Sequence, residues 1–493
     1  MTETFSKLRS LFLPVYSSEF KKFFPMAGII FAILFNYTLL RNMKDTIIVS
    51  SAGAAAITFL KLYCVTPSAI LFIVLYMKLS NIFSREKMFY LVISAFVIFF
   101  LFFGFVISPN VELFHPSKEK IDALYLAYPA LQGIIDIYAY WSYSLFYICA
   151  EIWGSIGISV LFWQFANTTV KIDQSKRFYP LFIALGNMSL ILCGVLVSLL
   201  VKFLKSYMST LPSESQWLMA VRVQLFAVGV MGVVAMALFK FLNKCVLPFE
   251  IKEEKKEKKD KKKKPGLSES FKLIFQSKHL FLIACLVICY GVSINLVEVQ
   301  WKNQVKIYFE GEKSAINGFM NSYSMWTGVA SIVFGWFAAS GILKKLSWAH
   351  AAIITPLIIG IGGVIFFISV LLKSTIINMN LNPAMIATFS GALIVIVSKV
   401  VKYALFDTTK EMSYIPLDPD LQAQGKPAVD VVGGRLGKAG GAFLQSFLLI
   451  AMATKDIATI IPFSGIFFII AIVLWCYAVK GLGIKMKEIS LKK

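Results

Sequence analysis

Residues 252–264 read KEEKKEKKDKKKK and run into Pro265 and Gly266. Nine lysines against four acids leave a net charge of +5 and no apolar side chain to bury. Such a run cannot offset the entropy of ordering itself, so it reads as a solvated cytoplasmic linker. Binding to lipid headgroups or nucleic acid is the less favoured use of it. What stands on either side decides the fold. Six apolar windows precede it, at roughly 24–41, 57–77, 88–108, 142–166, 178–201 and 217–240. Six follow, at 279–299, 318–341, 349–372, 383–405, 438–454 and 459–481. Each is near the about 20 residues a helix needs to cross hydrocarbon. Helix is the only choice, since backbone groups in lipid must pair within the segment. The expectation is an all-α polytopic membrane protein of twelve transmembrane helices in two six-helix bundles. Its parts are an N-terminal segment (1–23), a first bundle (24–240), the basic linker (241–278), a second bundle (279–481) and a tail (482–493). A central site between two halves is the usual arrangement for such a layout. No internal repeat is visible, so the symmetry rests on the span count.

Composition agrees. Of 493 residues, 58% are hydrophobic and 15% charged, and mean hydropathy is +0.74. The net charge of +22 would suggest nucleic acid in a soluble chain. Here much of it sits in short loops, where it sets topology, and the rest draws anions toward the pore mouths. The loops with Lys21 and Lys22, with Lys78, Arg85 and Lys87, with Lys171, Lys176 and Arg177, and with Lys344 and Lys345 fall on one side. Both termini are therefore expected in the cytoplasm, with the chain in a cell (inner) membrane. Trp141, Trp301 and Trp348 fall near span ends, as interface aromatics do. The first 23 residues show no secretory leader, so the first apolar segment reads as a retained helix. Cys285 and Cys289 lie four apart with no histidine nearby and read as small buried hydrophobes. His115, His279 and His350 are far apart, and nothing resembles a nucleophile–base pair or a metal-ligand cluster. No enzyme, metal or cofactor is indicated.

The informative residues are charges in or beside apolar windows, which are costly and mark substrate or ion routes. In FNYTLLRNMKDT (35–46), Asn36, Arg41, Lys44 and Asp45 follow the first apolar run without a turn, and Arg41, Lys44 and Asp45 share a helical face. They read either as cations facing a phosphate or as snorkelling residues at a helix end. Glu151 lies inside the fourth window and must be paired, protonated or facing water. Trp163, Gln164 and Asn167 continue it as a polar stripe suited to a cavity face. In GVSINLVEVQWKNQVK (291–306), Glu298 stands four before Lys302 and reads as a site residue or as a local pair.

The last stretch, Lys399–Gly441, carries Lys399, Lys402, Asp407, Lys410, Glu411, Asp418, Asp420, Lys426, Asp430, Arg435 and Lys438. GGRLGKAGG is not a Walker loop, since Val432 and Ala439 stand where Gly and Ser/Thr are required. It reads as a glycine-rich turn entering the eleventh span, with a helix N-terminus, Arg435 and Lys438 offered to a polyphosphate. A tight cytoplasmic turn with topology-setting cations is the plainer reading.

Together NYTLLRNMKDT, AEIWGS, LFWQFAN, KRFYPLF, YGVSINLVEVQWK, KYALFDTTKEMSYIPLD and GGRLGKAGGA resemble the ATP/ADP translocase, or nucleotide transporter, family of intracellular bacteria and plastids. The resemblance covers nearly the whole chain in order. It implies a major-facilitator-like fold and exchange of ATP inward for ADP outward, with phosphate among the leaving species in some relatives. Proton-coupled import of nucleoside triphosphates is the alternative. The resemblance also implies four important membrane charges, by motif Lys44, Glu151, Glu298 and Lys438, with Lys402 and Arg435 competing for the last. The implied partners are ATP, ADP and the bilayer, with no nucleic acid, and a single chain suffices as a monomer.

Overall fold

The computed structural model describes residues 14–246, 275–334, 346–417, 429 and 433–492. The lysine run 252–264 and Asp418, Asp420, Lys426 and Asp430 lie outside them. The described residues contain no strand. Their long helices are α1 (Phe20–Ser51), α2 (Ala55–Ile82), α3 (Arg85–Phe114), α4 (Trp141–Thr169), α5 (Ile172–Tyr207) and α6 (Ser213–Val246). Beyond the linker come α7 (Lys278–Tyr308), α8 (Lys313–Phe334), α9 (Trp348–Leu371), α10 (Pro383–Tyr414), α11 (Gly434–Ala451) and α12 (Ile461–Lys492). Ten candidate membrane spans fall on these helices, on all but α8 and α11. Those two carry buried polar residues instead, Asn317, Asn321, Ser324 and Thr327 on α8 and Gln445 and Ser446 on α11. Those polar residues are confined to inner faces, while Trp326 on α8 and Phe443 and Phe447 on α11 are exposed on the outer ones. Outer faces carry exposed apolar side chains such as Phe226, Val233, Ile361 and Val473, as a lipid-solvated surface requires. The expected boundary at 23/24 falls inside α1, and the expected tail continues α12.

Each half has its own core. Phe23, Phe96, Phe100, Phe146, Trp153 and Phe239 pack together in the first, and Ile283, Trp301, Phe366, Phe468 and Trp475 in the second. Trp301 is thus not an interface aromatic: it is buried and donates to the Thr388 carbonyl at 2.9 Å. A third apolar cluster crosses between halves. Ile48, Ile57, Phe59, Leu60 and Tyr147 meet Val299, Leu449 and Ile460 there.

That cluster lies toward one end of the bundle. At the opposite end stand the start of α1 and the end of α12; there Lys22 of α1 donates to Gln174 of α5 (3.2 Å), and His279 of α7 and Trp348 of α9 bond the Ser413 (2.7 Å) and Thr409 (2.9 Å) carbonyls of α10. At the far end Lys313 pairs with Glu214 at 2.9 Å and Lys205 with Glu312 at 3.6 Å, both across the halves. Two short helices, Lys118–Ala127 and Gln132–Ala139, cap this end. Tyr125 donates to Asp136, whose carboxyl pKa burial raises, and Lys455 from the other half sits 4.4 Å from the Tyr125 ring centroid.

The glycines of GGRLGKAGG do not make a turn. Gly434–Ala451 is helical, and Gly433 before it has α-helical dihedrals and no capping side chain. The helix that carries Arg435 and Lys438 to the cavity begins at Gly434, and residues 430–432 before it lie outside the described residues. The glycines let α11 touch α7. A Cβ on Gly437 would lie 2.9 Å from the Ile288 carbonyl oxygen and 3.0 Å from Gly291 Cα. Gly434, by contrast, has open space beside it. Gly437→Val is expected to lower the thermal unfolding midpoint of the solubilised chain, with a loss of about 1–3 kcal/mol from overpacking against backbone. Gly434→Ala should leave the midpoint near the parent value.

Candidate functional site

A cavity enclosing about 1430 Å³ of empty space, its open mouth included, lies between the halves. The first half supplies α1, α2 and α4 to it, and the second α7, α8, α10 and α11. Wide π turns interrupt three of these helices, at Leu60–Val65, Ile156–Trp163 and Lys402–Phe406. Such turns re-aim side chains and recur at functional sites. Two of them carry cavity lysines, Lys61 and Lys402.

The lining is strongly basic. Arg41, Lys44, Lys61 and Lys302 face it together with Lys399, Lys402, Arg435 and Lys438. Against these eight cations stand three carboxylates, Asp45, Glu151 and Glu298, which leaves +5 on the walls. Asp45 is the centre of the floor. Its two oxygens take Lys44 and Lys302, each at 2.8 Å, so the second contact joins the halves. Lys44 also reaches Glu151 at 2.9 Å and lies 3.8 Å from the Tyr147 ring centroid. Beside this floor, Asn42 donates to Asn321 (2.9 Å) and Ser324 (3.0 Å), and Arg41 donates to Ser324 (3.1 Å). With the apolar cross-half cluster behind them, these contacts seal the cavity from the far end. From the floor it extends past Ala69, Ser155, Tyr290 and Arg435 toward the end bearing the termini.

Lys44, Glu151, Glu298, Lys438, Arg435, Arg41 and Lys402 are all brought to this one cavity. Asp407 stands just behind it, pairing with Lys402 at 2.7 Å. Asn36 is elsewhere: it is buried against α6 and donates to the Val228 carbonyl at 3.0 Å. The polar stripe after Glu151 is elsewhere too. Asn167 accepts from Tyr179, and Gln164 accepts Arg85 through its carbonyl, at the terminal end of α4. The local pairing of Glu298 with Lys302 is not formed. Glu298 takes Lys399 at 3.4 Å, while Lys302 turns across to Asp45. Spacing on one helix could not reveal a partner on the other half. Sequence reasoning passed over Lys61, took Lys302 only as a local partner of Glu298, and had Lys399 only as one charge of the last stretch. For Lys399 and Lys302 the available signal was a cation next to an apolar window. For Lys61 it was a lone cation inside one.

The histidines are structural, His115 bonding Ser142 and His350 bonding Ser347, each at 2.7 Å. No group of metal-binding residues occurs among the described residues.

A family model described as the TLC ATP/ADP transporter matches residues 1–486. ADP,ATP carrier protein 1 of Rickettsia bellii (strain RML369-C) is 40% identical over 97% of this chain and 96% of its own. ADP,ATP carrier protein 1 of Rickettsia prowazekii (strain Madrid E) is 40% identical over the same shares. ADP,ATP carrier protein 3 of Rickettsia bellii is 38% identical over 98% of both. Among solved structures, a bacterial homologue of the human lysosomal transporter Spinster superposes with a TM-score of 0.55 at 12% identity, covering 94% of this chain and 98% of that one. A D-xylose–proton symporter gives 0.53 at 15% identity over 92% and 96%. These likenesses establish a major-facilitator-like fold.

Proposed function

This chain belongs to the TLC ATP/ADP transporter family, and on that premise we propose that it exchanges ATP for ADP across a cell (inner) membrane by alternating access. One chain provides both halves of the site, so the working unit is a monomer. With the termini in the cytoplasm, the conformation described is open inward. Phosphate leaves with ADP in this scheme.

The observation that carries the reading is the +5 cavity bridged at its floor by ion pairs. A polyphosphate presents several negative charges in a compact array, which suits clustered Arg and Lys donors. Tyr37, Tyr290, Tyr323 and Tyr403 also face the cavity and offer apolar faces to the base. Glu151 holds Lys44 and Glu298 holds Lys399. These carboxylates spare the cations the cost of burial without a partner. Nucleotide competes with them, and the halves reorient when the site is loaded. That both glutamates already serve a lysine favours exchange over proton-coupled import, in which one of them would titrate.

The test is uptake of labelled ATP into proteoliposomes with and without trapped ADP. Uptake that depends on internal ADP is the expected outcome. Uptake into empty vesicles, driven by an inward proton gradient, would replace exchange with import. Absence of ATP uptake under both conditions would defeat the adenine nucleotide reading.

A further inference from the structure

Arg41 differs from the other cavity cations in what it bonds. Lys44, Lys399 and Lys402 pair with carboxylates of their own half, and Lys302 crosses to the Asp45 carboxylate. Among the described residues no ion pair or hydrogen bond to the other half involves Lys61, Arg435 or Lys438. Arg41 crosses as Lys302 does, but to a neutral group: its Nη2 donates to the Ser324 hydroxyl on α8 at 3.1 Å. Its guanidinium carbon lies 5.5 Å from the ring centroid of Tyr37, a cavity residue one turn earlier on α1.

Ser324 belongs to a clasp between α1 and α8. Asn42 donates to its hydroxyl at 3.0 Å and to Asn321 at 2.9 Å, and the hydroxyl reaches the Asn42 side-chain oxygen at 3.1 Å. Asn42, Asn321 and Ser324 are each 0% exposed. The cavity takes Met320 and Tyr323 from α8, not Asn321 or Ser324, so a ligand in it meets Arg41 but not the hydroxyl that Arg41 holds. Among the described residues Arg41 is the one cation that belongs both to the cavity wall and to this clasp.

A guanidinium bonds phosphate oxygens more strongly than a neutral hydroxyl, and two at a time. A phosphate entering the cavity can therefore take Arg41 from Ser324, whereas at Lys302 it must displace a carboxylate. A ligand shifts a conformational equilibrium only through contacts that differ between the states. We propose that Arg41 is the positioning residue that couples loading to reorientation: a bound phosphate draws its guanidinium from Ser324 and loosens the α1–α8 clasp. This rests on the nucleotide-transport reading above. The Asn42 bonds that remain join neutral groups and are the weaker class, so the clasp parts more readily once the charged bond has gone.

The experiment follows a cysteine placed at Val299, buried in the apolar plug, in the full-length solubilised chain with its native cysteines replaced. Its rate of labelling by a thiol reagent reports opening of the far end, and ADP affinity is measured beside it by competition against labelled ATP. In this parent, saturating ADP should speed labelling about threefold or more. Ser324→Ala removes the acceptor without touching the cavity. Its labelling should be fast before ADP is added and change little afterwards, while ADP affinity holds or tightens, because the ligand no longer competes with the hydroxyl. Arg41→Gln should also lose the response to saturating ADP, but with affinity about tenfold weaker, the scale of a lost charge-assisted contact. Ser324→Thr, which keeps the hydroxyl, should behave as the parent. A Ser324→Ala chain that keeps the parent's response to ADP, or that binds ADP more weakly, overturns the proposal. Should Ser324→Ala fail to fold, Arg41→Gln decides: acceleration equal to the parent's at saturating ADP overturns it. A parent that binds ADP with no change in labelling overturns the proposal and leaves the transport reading standing. A parent that binds neither ADP nor ATP defeats that reading, and the proposal with it.

Discussion

Lys44→Ala is expected to abolish exchange, lowering ADP-dependent ATP uptake by about 100-fold or more, while the chain still inserts and purifies as the parent does. The effect follows from where the ammonium sits. Lys44 is 2% exposed and bonds Asp45 and Glu151 at once. Removing one partner of a buried pair costs about 3–5 kcal/mol, because the remaining charge is left uncompensated. At about 1.4 kcal/mol per tenfold, that is two to three orders of magnitude or more if the whole of it falls on the loaded site. Global folding is less exposed to the change. Asp45 keeps Lys302, and Glu151 keeps Lys438 and Lys61 as neighbouring cations. The Phe-rich core of the first half does not involve the ammonium. Lys44→Arg should recover only part of the rate, since a planar fork cannot serve Asp45, Glu151 and the Tyr147 face from one point as an ammonium does. Uptake by Lys44→Ala at the parent rate would remove this lysine from the mechanism and with it the competition between glutamate and nucleotide.

Apolarity alone marked all twelve helices in the sequence, because lipid permits no other spanning structure for such windows. It could not say that α8 and α11 would carry buried polar residues on their inner faces. That depends on which faces meet the other half, as Asn321 and Ser324 meet Asn42 and Arg41. The site was legible to the extent that a charge in an apolar window is anomalous. Lys44, Glu151 and Glu298 stood out for that reason. Partners were not legible. Glu298 and Lys302 sit at ideal spacing for a local pair, yet each finds its acid or base on another helix. Asn36 looked like a site residue by proximity to Arg41, but one turn of helix points it at α6 instead. The glycines of α11 were read as a phosphate-facing turn because glycine permits close approach. The approach is real, but what comes close is the α7 backbone.

Asp45 and Lys302 carry the second large prediction. Their 2.8 Å contact joins α1 to α7 at the level where the cavity stops and the apolar plug begins. In an alternating cycle the far end must open, and this pair must then break. Asp45→Asn should therefore be the more damaging single change, cutting exchange by about 30-fold or more. It strips Lys302 of its bonded carboxylate and Lys44 of one of two, leaving buried charge without compensation. Lys302→Gln should be milder, because Asp45 retains Lys44. If the two act as one element, Asp45→Asn/Lys302→Gln will not show the sum of the single losses, and the cycle will return a coupling of about 0.5–3 kcal/mol. The conformational side of the prediction has its own readout. A cysteine placed at Val299, buried in the plug, in a chain whose native cysteines have been replaced, should be labelled faster by an impermeant thiol reagent once Asp45→Asn loosens the floor. Additive losses together with unchanged labelling at Val299→Cys would mean that the pair stabilises the halves without gating them. The seal of the far end would then have to lie in the apolar cluster, the Asn42–Asn321 and Arg41–Ser324 bonds and the Lys313–Glu214 and Lys205–Glu312 pairs.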